Sequence, residues 1–152
     1  MLLCFKDDKF DEKKVIINDK INNNIIHNSY FYRLYYSTHF CVFNGVTFQF
    51  CLNNIIIEKY FQKLKILFNK NENIETVTNI LNIENKLLDI LNIKNKTKKY
   101  SLKEQVDNGF IKIILNNNYT KDIKNIEAIL KISGFWETET EYGITFRCTK
   151  IY

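Results

Sequence analysis

Aromatic and basic side chains occur together in three stretches of this chain. Five aromatic residues surround Arg33 within residues 30–36, and residues 94–103 hold five lysines and no acidic residue. The terminal stretch, residues 135–152, carries Trp136, Tyr142, Phe146 and Arg147. Proteins that hold single strands stack bases on exposed rings and follow the phosphate backbone with positive charge. The pattern favours such a surface, although aromatic residues in strands more often belong to a core.

From these stretches we predict a non-catalytic surface for single-stranded nucleic acid. The residues expected to form it are Tyr32, Arg33, Tyr35, Lys96, Lys98, Lys99, Trp136 and Arg147. Arg33 and Arg147 are the only arginines in the chain. Recognition of a base edge usually depends on arginine, so binding that rests mainly on lysine should be salt-sensitive and weakly sequence-specific.

Motifs for nucleotide binding, metal binding and nucleophilic catalysis are missing. The four glycines, at positions 45, 109, 134 and 143, are too far apart to form a phosphate-binding loop. The four cysteines contain no close pair, and His39 with Cys41 is the nearest approach to a zinc half-site. These two residues also fit ordinary strand positions. We therefore predict no enzyme activity, no catalytic residue, no metal and no cofactor.

Three alternating carboxylates, Glu137, Glu139 and Glu141, would share one face of a strand. Such a face could recruit a divalent ion, as nucleases do. The simpler interpretation is a solvated hairpin edge that discourages aggregation.

The length and composition predict one domain covering residues 1–152. The chain has 22 basic and 17 acidic side chains, a mild excess that favours a polyanion partner. Its four cysteines are expected to be free thiols, three of them in apolar, strand-like stretches. The apolar start is too short for a signal peptide, and no apolar run is long enough to span a membrane. We expect a cytoplasmic protein without a membrane partner.

The predicted fold is α+β, with an N-terminal antiparallel sheet, two to three central helices and a C-terminal β-hairpin. Asn44-Gly45 suits a two-residue type I′ turn, which would pair Phe43 with Val46 and Cys41 with Phe48. Apolar residues with helical spacing predict helices over about 53–68 and from Ile74 to Ile93. A short helix is expected from Ser101 to Asn108, with Ser101 in a capping box. Another is expected over 120–132, followed by a hairpin over 135–152 with a bulge at Gly143.

Two further hypotheses belong to other classes of protein. The order helix, helix, hairpin over residues 101–152 matches a winged helix, whose recognition helix would present Lys121, Lys124, Asn125 and Lys131. Such a module could read duplex DNA or bind protein. Alternatively, the chain is a structural subunit that forms a homo-oligomer or binds a partner protein through the apolar stripe from Ile74 to Ile93.

The composition resembles that of proteins from very A/T-rich extrachromosomal elements. The chain has 21 Asn, 23 Ile and 20 Lys, no Pro and a single Ala. Proteins of yeast cytoplasmic linear (killer) plasmids, of insect DNA viruses and of some mitochondria share this bias. The segment 134–146, Gly-Phe-Trp-Glu-Thr-Glu-Thr-Glu-Tyr-Gly-Ile-Thr-Phe, also looks like a terminal strand pair of viral-type replication accessory proteins. This resemblance implies a role in replication of such an element, as a single-strand binder or a small transcription factor.

Overall fold

The chain folds around one large mixed β-sheet. The computed structural model describes residues 4–5, 10–114 and 122–151. Within these ranges there are twelve strands and two α-helices. In chain order they are β1 Cys4–Phe5, β2 Val15–Ile17, β3 Ile21–Asn22, β4 Tyr30–Ser37, β5 Val42–Asn44, β6 Val46–Asn53, β7 Ile56–Tyr60, β8 Lys63–Leu67, α1 Ile74–Leu91, β9 Thr97–Lys99, α2 Ser101–Asp107, β10 Phe110–Ile114, β11 Asn125–Glu137 and β12 Glu141–Lys150. Neither helix is long and apolar enough to cross a membrane.

The strand order along the sheet is β1-β6-β11-β12-β10-β8-β7. The longest strand, β11, pairs antiparallel with β6 through its first half and with β4 through its second half. Its other edge pairs antiparallel with β12 along almost its whole length. Strand β4 also carries the short strands β2, β3 and β5. The C-terminal hairpin β11–β12 is therefore the centre of the sheet.

The core lies on one face of this sheet, which we call the inner face. Four alternate residues of β11 point into it: Ile126, Ala128, Leu130 and Ile132. Helix α1 covers this side with Ile80, Ile83, Leu87 and Leu88, which belong to the same buried cluster. The apolar stripe predicted as a partner surface is thus occupied by the chain's own core.

The α+β prediction with two to three central helices is wrong. Residues 53–68, predicted as a helix, form the antiparallel strands β7 and β8. Their burial alternates: Leu64, Ile66 and Phe68 are buried, whereas Lys63 is exposed and Lys65 partly exposed. Isoleucine is β-branched and packs well on a pleated sheet. The segment therefore forms strands with a two-residue burial period, although its apolar residues also have helical spacing.

The helix predicted over 120–132 is likewise a strand. Residues from Asn125 belong to β11, and the predicted start at Thr120 lies outside the described residues. The sequence period here is two, because every second residue from Ile126 to Ile132 is buried. The winged-helix arrangement therefore loses its recognition helix, and Lys131 lies on a strand.

The prediction of a hairpin that turns at Asn44-Gly45 is also wrong. Strand β5 pairs with β4, with Phe43 opposite Tyr36, and the chain reverses at residues 38–41. Of Asn44 and Gly45, only Gly45 has a positive φ, +87°, whereas a type I′ turn needs a positive φ at both central residues. Its amide donates to the Leu34 carbonyl at 2.8 Å, and the chain then continues into β6 beside β11.

Several local predictions agree with the structure. The helix expected from Ile74 is α1, and the short helix expected at Ser101 is α2. The C-terminal hairpin is present but is longer than predicted, because it begins at Asn125. Its bulge lies between Ile132 and Gly134 and not at Gly143.

Candidate nucleic-acid interface

The face of the sheet opposite the core, the outer face, carries both arginines of the chain. Arg147 on β12 is paired with Lys131 on β11, and Arg33 on β4 is paired with Gly134 on β11. Paired residues point to the same side of a sheet, and alternate residues of a strand share that side. Because Ile132 is directed into the core, Lys131 is directed outward, and so is its partner Arg147. The β-bulge at Ser133 keeps Arg33 on the same side.

The rings of Phe31 and Trp136 share this face with the cations, and the two residues are paired. Phe31 lies two positions from Arg33 on β4. Trp136 lies two positions from Gly134, the partner of Arg33 on β11. Both side chains are partly exposed. The arginine side chain of Arg33 lies over the Phe31 ring, 5.8 Å from its centroid. Rings and cations thus alternate across β4, β11 and β12.

Two glycines provide the space in which these rings lie against the sheet. A Cβ atom on Gly134 would be 2.6 Å from Cζ of Phe31, and one on Gly143 would be 2.7 Å from Cζ2 of Trp136. A glycine within a strand often marks such a close approach. Each ring can therefore lie close against the sheet, because the glycine beneath it has no side chain.

The basic residues line a groove of about 270 Å³, which we call the arginine groove. Its lining is Arg33, Asn44, Lys131, Ser133, Thr145, Phe146 and Arg147, which includes no acidic residue. Within the described part of the chain, none of the ion pairs involves Arg33, Lys131 or Arg147. Arg33 donates one hydrogen bond, from Nη1 to Oδ1 of Asn44 at 3.3 Å. The groove is a site where an anion would meet three cations without a competing carboxylate.

Two of the predicted lysines lie elsewhere. Lys98 pairs with Asp89, and Lys99 pairs with Glu104 at 3.2 Å. The hydrogen bond to Asp89 raises the pKa of Lys98. Tyr35 is two positions from Arg33 on β4 and so points to the same side, as does its partner Asn44 of β5. Of the eight predicted residues, the structure therefore places Arg33, Tyr35, Trp136 and Arg147 on one face.

Tyr32 and Lys96 belong to a separate group, the Glu137 cluster, which consists of Lys20, Tyr32, Lys96 and Glu137. Glu137 is only 3% exposed. Its carboxylate accepts hydrogen bonds from the Tyr32 hydroxyl and from Lys96 Nζ, and Lys20 Nζ lies 3.6 Å away. Lys96 also donates to the Thr138 carbonyl at 2.7 Å. The cluster therefore ties three separate parts of the chain to the end of β11.

The protonation of this cluster follows from its contacts. Burial opposes ionisation of Glu137, but hydrogen bonds from Lys96 and Tyr32 and the nearby lysine charges outweigh it, so the pKa of Glu137 is lowered. Burial and the hydrogen bond to the carboxylate raise the pKa of the Tyr32 hydroxyl. The three glutamates predicted on one strand face are separated, because Glu139 lies in the turn and Glu141 begins β12.

A second aromatic and basic surface lies at the other edge of the sheet, on β7, β8 and β10. There the rings are already covered: Lys112 Nζ lies 4.7 Å from the Tyr60 centroid, and Lys65 Nζ lies 4.7 Å from that of Phe110. These lysines would have to move before a base could stack on the faces that they cover. On the outer face Arg33 lies over Phe31 in a similar way, but none of the described cations lies over the ring of Trp136, which makes this face the better stacking surface.

Sequence reasoning left Phe31 out of the predicted site, placed Lys131 on a recognition helix and treated Glu137 as one of three equivalent carboxylates. The signal for Phe31 was present, since it is two residues from Arg33 and so shares its side of a strand. Placing Lys131 beside Arg147 requires recognition of the two-residue period of β11. Nothing local to Glu137 distinguishes it from Glu139, because its partners come from distant segments.

The three cysteines whose side chains the structure describes, Cys41, Cys51 and Cys148, are not brought into a chemical centre. Cys148 is buried, and this burial raises the pKa of its thiol to about 12. Cys41 and Cys51 are partly exposed free thiols, whereas His39 is exposed. Among residues 10–114 and 122–151, no three His, Cys, Asp or Glu side chains are grouped so that they could hold a metal ion.

Comparison of the chain with protein-family models, with curated proteins and with solved structures found no match.

Proposed function

We propose that this protein is a non-catalytic, single-stranded nucleic-acid-binding accessory protein that acts in the replication of an A/T-rich genetic element in the cytoplasm. The observation that carries the binding proposal is the outer face. Both arginines and Lys131, which have no carboxylate partner among the described residues, lie there beside the partly exposed rings of Phe31 and Trp136. The replication role and the cytoplasmic setting rest on the composition that the chain shares with proteins of such elements.

In the proposed complex the rings contact the bases and the cations contact the phosphates. A stacked base contributes about 1–3 kcal/mol, and rings accept any base because every base has a π-face. The arginine groove would hold the backbone phosphate through charge-assisted hydrogen bonds. Single strands fit this surface because their bases are unpaired and can reach the rings.

Trp136 provides a direct test because it is the only tryptophan. We expect oligo(dT) to quench its fluorescence at low salt, with the effect weakened at high salt. Arg147→Gln should weaken the affinity about tenfold or more, since hydrogen bonds to charged groups contribute roughly 1.5–3 kcal/mol. Lys59→Gln is the matched control: it removes the same charge from an exposed site on β7, at the far edge of the sheet.

The absence of both quenching and salt-dependent retardation in a gel would refute the proposal. Equal losses in Arg147→Gln and Lys59→Gln would place the binding surface elsewhere. Preference for duplex over oligo(dT) would also contradict it.

A further inference from the structure

The arginine groove continues into a second hollow on the outer face. This hollow, of about 340 Å³, we call the isoleucine slot. Arg33, Ser133 and Thr145 line both spaces, so the two hollows adjoin and present a basic end and an apolar end. A space of this size matches a small-molecule group more closely than a segment of protein.

The basic end suits a phosphate that carries two charges. A phosphodiester has one negative charge, whereas a phosphomonoester has about 1.5 to 2 at neutral pH. Three cations without a carboxylate in the lining are more than a single diester requires. The hydrogen bond from Arg33 to Asn44 uses one nitrogen of the guanidinium and leaves the others to donate to phosphate.

The apolar end suits a nucleobase. Ile21, Ile25, Ile26 and Phe31 line it, and the Ile25 side chain is 92% exposed. Oδ1 of Asn23 accepts the amides of Ile25 at 2.9 Å and Ile26 at 3.3 Å, which holds this loop in a defined turn. A planar base that covered these exposed apolar side chains and the aromatic ring would remove apolar surface from water, which would stabilise the bound state.

We propose that this joined groove binds a nucleotide that carries a phosphomonoester, with the phosphate in the arginine groove and the base in the isoleucine slot. The ligand class is a nucleoside monophosphate, either free or as the phosphorylated end of a strand. This inference rests on the proposed single-strand binding and specifies which nucleotide occupies the groove. Asn22 and Asn24 also line the slot and supply amide groups at its rim.

The test compares ligands that differ only in phosphate or base, by calorimetry and by Trp136 fluorescence. The ligands are thymidine monophosphate, thymidine, inorganic phosphate, and oligo(dT) phosphorylated at the 5′ end, at the 3′ end or at neither. We expect thymidine monophosphate to bind about tenfold or more tightly than thymidine or inorganic phosphate, because it fills both ends of the groove. Tighter binding of one phosphorylated oligonucleotide would identify the strand end as the source, and equal binding of all three would identify the free nucleotide.

Two variants examine the two ends separately. Arg147→Gln should remove most of the advantage of the monophosphate over thymidine, whereas Lys59→Gln should leave it unchanged. Ile25→Ser, at a side chain too exposed to support the fold, should weaken thymidine monophosphate and leave inorganic phosphate unaffected.

Failure of this inference is distinguishable from failure of single-strand binding. If unphosphorylated oligo(dT) quenches Trp136 but thymidine monophosphate does not bind, and end phosphates have no effect, the groove inference is overturned and strand binding stands. If no ligand binds, both are overturned.

Discussion

At the scale of single residues, the side chain of Glu137 is held by three partners from distant segments. The alternation of Glu137, Glu139 and Glu141 suggested three equivalent carboxylates, yet only Glu137 is buried. A buried carboxylate is stable when hydrogen bonds and cations replace the lost water, and here Tyr32, Lys96 and Lys20 do so. Its role is to join β4 and the segments around Lys20 and Lys96 to the end of β11.

Substitution Glu137→Gln should destabilise the fold by roughly 1.5–3 kcal/mol, the usual contribution of hydrogen bonds to a charged group. Lys96 would lose the charge that compensates its partial burial. Urea unfolding at neutral pH measures this difference. Glu139→Gln is the control, since Glu139 is exposed in the turn and should change stability by less than about 0.5 kcal/mol. Equal effects of the two substitutions would contradict the assigned role.

The pH dependence of stability should follow from the lowered pKa of Glu137. A glutamate ionises in the unfolded chain with a pKa of about 4.3, so above that pH the folded protein gains the full benefit of the carboxylate. The benefit is lost as the pH falls through the folded-state pKa. The stability difference between the wild type and Glu137→Gln should therefore be constant from neutral pH to about 5 and shrink below about 4. Urea unfolding across this range tests the sign, and a difference that increases on acidification would be inconsistent with it.

At the scale of elements, the start of α2 shows how a local motif can be replaced by a tertiary contact. The sequence predicted Ser101 as the capping residue, but the cap position is Tyr100, which makes no side-chain capping bond. Instead, buried Glu84 of α1 accepts the amides of Leu102 and Lys103, each at 2.9 Å. Burial raises the pKa of Glu84, partly offset by these backbone hydrogen bonds. The two helices are thus joined through one carboxylate.

We expect Glu84→Ala to destabilise the protein by about 1–3 kcal/mol, because two amides at a buried helix start would lose their acceptor. Hydrogen exchange should become faster at Leu102 and Lys103 before it does in β11. Glu75→Ala, at an exposed position in the first turn of α1, is the matched control. Unchanged exchange at the two amides would show that Glu84 does not cap α2.

At the scale of the whole molecule, the mild net charge of +5 conceals an uneven distribution. Lys96, Lys98 and Lys99 are paired with acidic groups, whereas Arg33, Lys131 and Arg147 line a groove without one. Among the described residues, cations without an acidic partner therefore include those of the arginine groove and the lysines of β7, β8 and β10, two of which cover aromatic rings. The lysine-rich loop, the most basic stretch of the sequence, contributes less than its composition suggests.

This distribution predicts the salt dependence of strand binding. On an unphosphorylated strand, whose phosphates carry one charge each, three cations that each neutralise a separate phosphate give a slope of about −2 for the logarithm of affinity against the logarithm of salt concentration, at about 0.7 per contact. Arg147→Gln should reduce the magnitude of the slope by about 0.7, and Lys98→Gln should leave it nearly unchanged. Titration of oligo(dT) between about 50 and about 200 mM salt measures both. A larger change with Lys98→Gln would assign the phosphate contacts to the lysine loop.

The amino-acid pattern alone determined the elements whose information is local. Helix α1 has a long apolar stripe with helical spacing, and α2 is a short helical segment before Gly109. It also determined that rings and cations occur together, including Arg33, Trp136 and Arg147.

Only the tertiary structure decided which isoleucine-rich segments become strands and which cations remain available. Isoleucine and lysine fit both helical and two-residue periods over short windows, and pairing with β11 or β10 selects the strand. The availability of a cation depends on whether a carboxylate distant in sequence lies beside it, as Asp89 does for Lys98 and Glu137 for Lys96. Such contacts are long-range, so no window of sequence contains them.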